Sequence, residues 1–133
     1  MDVVVENLTK SFENQKAVDS ISFKAKRGEI LGFLGPNGAG KTTTMKIMAG
    51  LLTSDFGNIT FGDYSIWKQA GKIKNIIGYL PERNPLYDEM NVIDFLLFIS
   101  KLHNIPKYKI TSRVLDMIRL CGLDNDKHKQ IGE

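Results

Sequence analysis

A glycine-rich segment in the first third of the chain constrains its fold more than any other feature. Residues 35–42 fit the pattern G-x-x-x-x-G-K-[ST] at every fixed position, which are Gly35, Gly40, Lys41 and Thr42. Four specified positions would match by chance in well under ~1% of chains of this length. The pattern predicts a loop between a strand and a helix whose backbone can approach phosphate groups closely.

The sequence on either side of this loop fits a strand–loop–helix unit. Residues 30–34, Ile-Leu-Gly-Phe-Leu, form an apolar run without alternation. Such a run predicts a strand buried on both faces in a parallel sheet. After the loop, four apolar residues share one helical face, and Gly50 within them indicates a fraying end. These residues are Met45, Met48, Ala49 and Leu52.

Hydrophobic periodicity elsewhere predicts strands in the first half of the chain. Residues 3–5 are β-branched, and residues 21–25 alternate between apolar and polar side chains. The polar stretches 13–16 and 55–58 read as turns, and residues 59–61 as a further strand. A weaker helical pattern covers 66–77 and competes with a short strand over 76–80, which Pro81 stops.

The last third of the sequence has helical periodicity. Asn91 followed by Asp94 resembles a capping arrangement, and the apolar stripe that follows ends at residues 104–106. A second stripe carries Val114, Leu115 and Ile118, with Gly122 suited to its C-terminal cap.

Composition bounds the class of protein. The chain has 133 residues, 42% hydrophobic and 25% charged, which suits one globular core. The net charge of +3 is spread among interleaved acids and bases, so no nucleic-acid partner is expected. The single cysteine, Cys121, favours a reducing compartment. The longest apolar run, residues 95–99, is too short to cross a bilayer, and we expect no direct membrane insertion.

The chemistry of the loop points to a nucleoside triphosphate with Mg²⁺. Glycines at 35, 38 and 40 permit positive φ and remove Cβ atoms that would obstruct phosphate oxygens. The following helix directs its free N–H groups to the same place. Lys41 supplies a cation to the β- and γ-phosphates, and the Thr42 hydroxyl is suited to Mg²⁺. The alternative is a glycine-rich turn without chemical consequence.

The sequence around the loop resembles that of the ATP-binding subunit of an ABC transporter. The resemblance rests on residues 17–23 (AVDSISF), 27–30 (RGEI) and 35–43 (GPNGAGKTT), and it covers the whole chain. The string 78–82 (GYLPE) is similar to a bacterial export and gliding-type subgroup. The implied fold is α/β: a P-loop NTPase core of ABC type. It would have an antiparallel β subdomain at the N-terminus and a helical subdomain at the C-terminus, truncated.

The resemblance also assigns roles residue by residue. Phe12 would stack on adenine, although it also suits a core or turn position. Val18 would flank the base or ribose, the alternative being a position in the core. Thr43 would support Thr42 by bonding an α-phosphate oxygen. Glu82 stands where most of the family has Gln and would contact Mg²⁺ with Thr42, the alternative being an exposed surface residue. The implied nucleotide-binding set is Phe12, Val18, Gly35, Pro36, Asn37, Gly38, Ala39, Gly40, Lys41, Thr42 and Thr43.

The resemblance implies an incomplete domain, with residues 1–90 forming the ATP-binding core and 91–133 the start of the helical subdomain. The family's signature, its Asp-Glu strand and its switch histidine are not found in the sequence. Only Lys41 and Glu82 remain as catalytic candidates, so no catalytic set is complete. We expect these residues alone to bind nucleotide weakly, to hydrolyse it negligibly and to be marginally stable.

The family implies partners that the chain does not contain. These are a second ATP-binding subunit in a head-to-tail dimer and a transmembrane permease, contacted through residues 83–90. The implied location is the cytoplasm, at the inner face of the cell membrane. Three alternatives stay open: a soluble ABC ATPase acting on the ribosome or another assembly, a P-loop kinase or GTPase, and a non-hydrolytic nucleotide-binding fragment.

Overall fold

A computed structural model describes residues 1–103 and 105–133, and these fall into two compact units, 1–80 and 81–133. Residue 104, within the predicted break at 104–106, lies outside the described part. None of the helices in the described ranges combines the length and the apolar character needed to cross a bilayer.

The first unit is built on an antiparallel sheet. Strands β1 (Val3–Phe12), β2 (Gln15–Ala25), β3 (Phe56–Phe61) and β4 (Tyr64–Ser65) lie in the order β2-β1-β3-β4. The predicted strands at 3–5, 21–25 and 59–61 are therefore confirmed. The turn between β1 and β2 is two residues long, with Glu13 at a φ of 50°.

Two helices complete the first unit, one between β2 and β3 and one after β4. Helix α1 (Lys41–Met48) presents Ile47 to the sheet, and helix α2 (Ile66–Lys74) presents Ile73, with a kink at Gln69. Their side chains close one apolar core with the sheet because each element has a single apolar face. The buried members are Val5, Leu8, Val18, Ile47, Ile59, Phe61 and Ile73.

The second unit is a pair of helices. Helices α3 (Val92–Leu102) and α4 (Lys107–Leu120) pack through a stripe at every fourth residue of α4, formed by Ile110, Val114 and Ile118. Gly122 takes a φ of 69°, and its N–H donates to the carbonyl of Arg119. The predicted glycine cap is thus confirmed. Cys121 is exposed at the end of α4.

Asn91 occupies the N-cap position of α3, as predicted. Its side-chain amide donates to the Asp94 carboxylate at 3.4 Å, and neither side chain caps the helix N–H groups. The chain returns to this end of α3 instead, where the carbonyls of Lys127 and Lys129 accept from the N–H groups of Ile93 and Val92.

The predicted buried strand at 30–34 is wrong. These residues form no strand, and Ile30 and Leu34 are 98% and 96% exposed. An apolar run favours a buried position, but a strand also needs a neighbouring strand that pairs with its backbone N–H and C=O groups. The four strands of the described sheet pair only with one another, and none lies beside this segment. The Phe33 ring lies 4.8 Å from the ring of Phe23 on β2.

Helix α1 ends at Met48, in agreement with the fraying end that Gly50 indicated, since Gly50 adopts a φ of 67° and donates its N–H to the carbonyl of Ile47. Other predicted boundaries are wrong. Residues 76–80 form neither strand nor helix, and the weak helix predicted to 77 ends at Lys74. The predicted turn at 55–58 is strand from Phe56 onward, since it pairs with β1.

Candidate functional site

The loop at 35–42 brings free backbone donors to the start of α1. Gly40 is the N-cap of this helix with a φ of 84°, and Gly38 has a φ of 85°. Among the described residues, no side chain caps the helix. Its first N–H groups have no partner within the helix either, so they are available to an anion. This end of the first unit can therefore accept phosphate oxygens.

Lys41 folds back over the loop. Its ammonium donates to the carbonyl oxygens of Gly35 at 2.6 Å and Pro36 at 2.7 Å. A lysine ammonium has three donors, so at least one remains for a ligand held in the loop. The two carbonyl contacts hold the positive charge beside the first two residues of the loop.

Three threonines follow Lys41, and they occupy different environments. Thr42 is exposed and Thr43 is half-buried. Thr44 is buried, and its hydroxyl donates to the carbonyl of Gly40 at 2.9 Å. Thr44 thus holds the N-cap residue Gly40 through a side-chain hydrogen bond. Its position in the sequence did not predict this role. The Thr42 hydroxyl remains accessible, as a ligand for a hard cation must be.

The β1–β2 hairpin packs directly against the loop. A Cβ atom at Gly40 would overlap the carbonyl oxygen of Ala17 and would lie 3.2 Å from a methyl group of Val18. A cleft of about 440 Å³ opens between the two segments. Its lining includes Lys16, Ala17, Val18 and Asp19 from the hairpin and Gly38, Ala39, Gly40 and Lys41 from the loop.

The charges around this cleft come from both segments. Lys16 and Asp19 form an ion pair at 2.9 Å, with side chains 60% and 63% exposed. Together with Lys41 they are the ionisable side chains that line the cleft in the described part of the chain. Sequence reasoning did not select Lys16 or Asp19, because the contact between hairpin and loop carries no local sequence signal.

Of the two residues predicted to contact the base, Val18 lines the cleft and Phe12 does not. Val18 is buried and lines the cleft. Phe12, the last residue of β1, is 48% exposed and is not among the lining residues. The ammonium of Lys10 lies 5.6 Å from the centre of the Phe12 ring and is itself held by Asp55 at 2.8 Å.

Glu82 and residues 83–90 belong to the second unit. Within that unit Tyr87 packs its ring against those of Phe95 and Phe98, each at 6.2 Å between centres. The role of Glu82 beside the nucleotide and that of residues 83–90 as a docking segment stay predictions. In the described ranges no three His, Cys, Asp or Glu side chains are grouped to hold a metal ion.

Comparison with known proteins gives a consistent match. A family model described as ABC transporter matches residues 18–133. The linearmycin resistance ATP-binding protein LnrL of Bacillus subtilis is 38% identical over 118 residues, which cover 89% of this chain and 38% of LnrL. The phospholipid-transporting ATPase ABCA3 of Mus musculus is 36% identical over 132 residues, 97% of this chain and 8% of that protein.

Solved structures agree on the fold. The structure of the ATP-binding subunit of an ABC transporter superposes with a TM-score of 0.81 at 24% identity. The superposition covers 98% of this chain and 54% of the other. The predicted α/β fold of ABC type, with an antiparallel sheet near the N-terminus followed by helices, is confirmed in its architecture. The chain spans less than two thirds of the length of each of these relatives and of this structure.

Proposed function

Since the chain belongs to the ABC transporter family and matches its ATP-binding subunits, we propose that the loop at residues 35–42 binds the triphosphate of ATP. The observation that carries the proposal is the joint placement of the Lys41 ammonium and the uncapped start of α1 on one cleft. Both supply positive charge to the same cleft, which suits the negative charge of a triphosphate.

Binding would exchange the contacts of Lys41. Its bonds to the carbonyls of Gly35 and Pro36 are hydrogen bonds to neutral acceptors. Phosphate oxygens carry charge and form stronger bonds with an ammonium, so the β- and γ-phosphates would take at least one of its donors. The N–H groups of residues 38 and 40–43 would bind the remaining oxygens, with Thr43 contributing at the α-phosphate.

Thr42 is suited to hold Mg²⁺ together with the phosphates. Its hydroxyl is exposed at the first turn of α1, and Mg²⁺ prefers a few protein oxygens in combination with water and phosphate. The ion, when bound, would neutralise part of the triphosphate charge. Glu82 remains the second proposed ligand, because a carboxylate is the kind of oxygen donor that Mg²⁺ accepts.

Val18 and Phe12 are proposed to contact the nucleoside. Val18 lines the cleft beside Gly40, which places an apolar wall next to the phosphate site. Phe12 extends from the same hairpin with half of its surface free to stack on a base. Lys10 covers part of the ring, so the base would use the remaining exposed surface.

For the longer proteins of this family, we infer that ATP hydrolysis drives transport through a membrane partner. LnrL is named as a resistance protein and ABCA3 as a phospholipid-transporting ATPase, which supports an export role. A second ATP-binding subunit and a permease are the proposed partners, the permease contacting residues 83–90 at the inner face of the membrane. Lys41 and Glu82 are the proposed participants in hydrolysis from this chain.

The test is ATP affinity of the purified chain, measured by titration calorimetry with MgCl₂. Lys41→Ala should weaken binding by about tenfold to a hundredfold, the range for a hydrogen bond to a charged group. The matched control is Lys46→Ala, which removes a lysine from the last turn of the same helix and should leave affinity unchanged. Equal affinity of the two variants would contradict the proposal, and EDTA should lower the wild-type affinity if Mg²⁺ takes part.

A further inference from the structure

The cleft beside the loop contains a second ammonium group that the family resemblance does not assign. Among the described residues, its lining includes two basic side chains, Lys41 from α1 and Lys16 from β2. Lys16 lies one residue before Ala17, whose carbonyl oxygen is packed against Gly40. Consecutive Cα atoms are about 3.8 Å apart, so this contact anchors Lys16 close to the loop.

The present partner of Lys16 is weak. Its ammonium pairs with Asp19 at 2.9 Å, three residues along the same strand, and both side chains are more than half exposed. Exposed ion pairs of this kind contribute little to stability, because water screens both charges. The lysine can therefore leave Asp19 at little cost when a stronger acceptor enters the cleft.

A triphosphate in the cleft would be such an acceptor. The lining carries two positive charges and the one negative charge of Asp19, so its net positive charge is small. A phosphate group would attract Lys16 and repel the Asp19 carboxylate, and both forces favour the same exchange of partners.

We propose that Lys16 is a second phosphate-binding cation, which leaves Asp19 and bonds to the triphosphate held by residues 35–42. This proposal rests on the proposed function, because it requires the phosphates to lie in this cleft. It makes the hairpin a direct participant in phosphate binding, since β2 supplies a charge opposite that of Lys41. Asp19 then acts against binding, because it competes with the phosphates for the Lys16 ammonium.

The chain offers a matched control on the same strand. Lys24 of β2 pairs with Asp2 at 2.9 Å, is 52% exposed and does not line the cleft. Lys16→Gln and Lys24→Gln therefore remove the same charge and the same kind of ion pair, and they differ in position. Lys16→Arg keeps the charge and should retain most of the affinity.

The experiment measures binding of MgATP and of inorganic tripolyphosphate by calorimetry, with circular dichroism to confirm that each variant folds. Lys16→Gln should weaken both ligands about fivefold, the effect of one solvated charge pair at about 4 Å. Lys24→Gln should leave both unchanged. Asp19→Asn should strengthen both ligands, whereas Asp2→Asn should not.

Each result decides between the proposals. If wild-type affinity depends on Lys41 while Lys16→Gln equals wild type or Lys24→Gln, the role of Lys16 is refuted and the proposed function stands. If Lys16→Gln weakens ATP but not tripolyphosphate, its partner is the nucleoside and the phosphate role is wrong. If the wild type binds neither ligand, or binds without regard to Lys41, the proposed function fails and the role of Lys16 fails with it.

Discussion

Replacing Gly40 with alanine tests whether the hairpin and the loop touch as described. The new Cβ atom would meet two costs. The first is backbone strain, because Gly40 has a φ of 84° and a left-handed conformation costs an L-residue about 1–2 kcal/mol. The second is overlap with the carbonyl oxygen of Ala17 and close approach to Val18, which forces β2 or the loop to move.

Gly38 separates these two costs. It has nearly the same φ, 85°, but a Cβ there would meet no atom within 4 Å. Gly38→Ala should therefore show the strain alone, about 1–2 kcal/mol. Gly40→Ala should show the strain and a further ~1–3 kcal/mol, the usual cost of forcing extra atoms into packed structure.

The assay is urea unfolding followed by the fluorescence of Trp67, the single tryptophan of the chain. Trp67 lies in helix α2 of the same unit, and its indole N–H donates to the carbonyl of Gly57 at 2.7 Å. Its emission should therefore report loss of structure in this unit. With a slope of about 1–3 kcal/mol per molar urea, the two variants should differ in midpoint by on the order of 1 M. Equal midpoints would refute the close contact between Gly40 and Ala17.

Two further predictions concern the core and the response to acid. Ile47→Ala should lower the free energy of unfolding by about 2–5 kcal/mol, because Ile47 is 1% exposed between α1 and the sheet. Leu51→Ala, at a residue 62% exposed, should cost less than about 1 kcal/mol in the same urea titration. Hydrogen bonds from the Lys10 ammonium and the Ser11 N–H hold the pKa of Asp55 below its ordinary 3.8. Because the pKa of Asp55 is lower in the folded state, its carboxylate stabilises the fold at pH values above the ordinary pKa. This stabilisation is lost as the pH falls through the pKa of the folded state. Unfolding midpoints measured from about pH 5 downward should thus fall less steeply for Asp55→Asn than for wild type, and parallel curves would contradict this.

Much of the fold could be read from residue patterns. The alternation in β2, the apolar stripes of α3 and α4, and the glycine cap at Gly122 each depend on neighbours within a few positions. Such local signals survive without knowledge of the rest of the chain. The strand predicted at 30–34 failed for the opposite reason, because pairing depends on a neighbour that the pattern does not specify.

The candidate site divides in the same way. Residue type and spacing alone predict a phosphate-binding loop at residues 35–42. The glycines let the backbone approach phosphate oxygens closely, and the lysine supplies positive charge. Thr44, which holds the carbonyl of Gly40, and Lys16, which lines the cleft from β2, carry no such signal. The Thr44 contact lies within one helical turn, whereas the position of Lys16 follows from packing between segments more than twenty residues apart.

The sequence by itself therefore determined the family and the position of the glycine-rich loop. Only the tertiary structure decided which segment packs against the loop. The hairpin approaches closely because Gly40 lacks a Cβ, and this contact brings Lys16 and Asp19 to the cleft. A residue pattern encodes local geometry, whereas the charge around a binding site is the sum over every segment that folding brings near it.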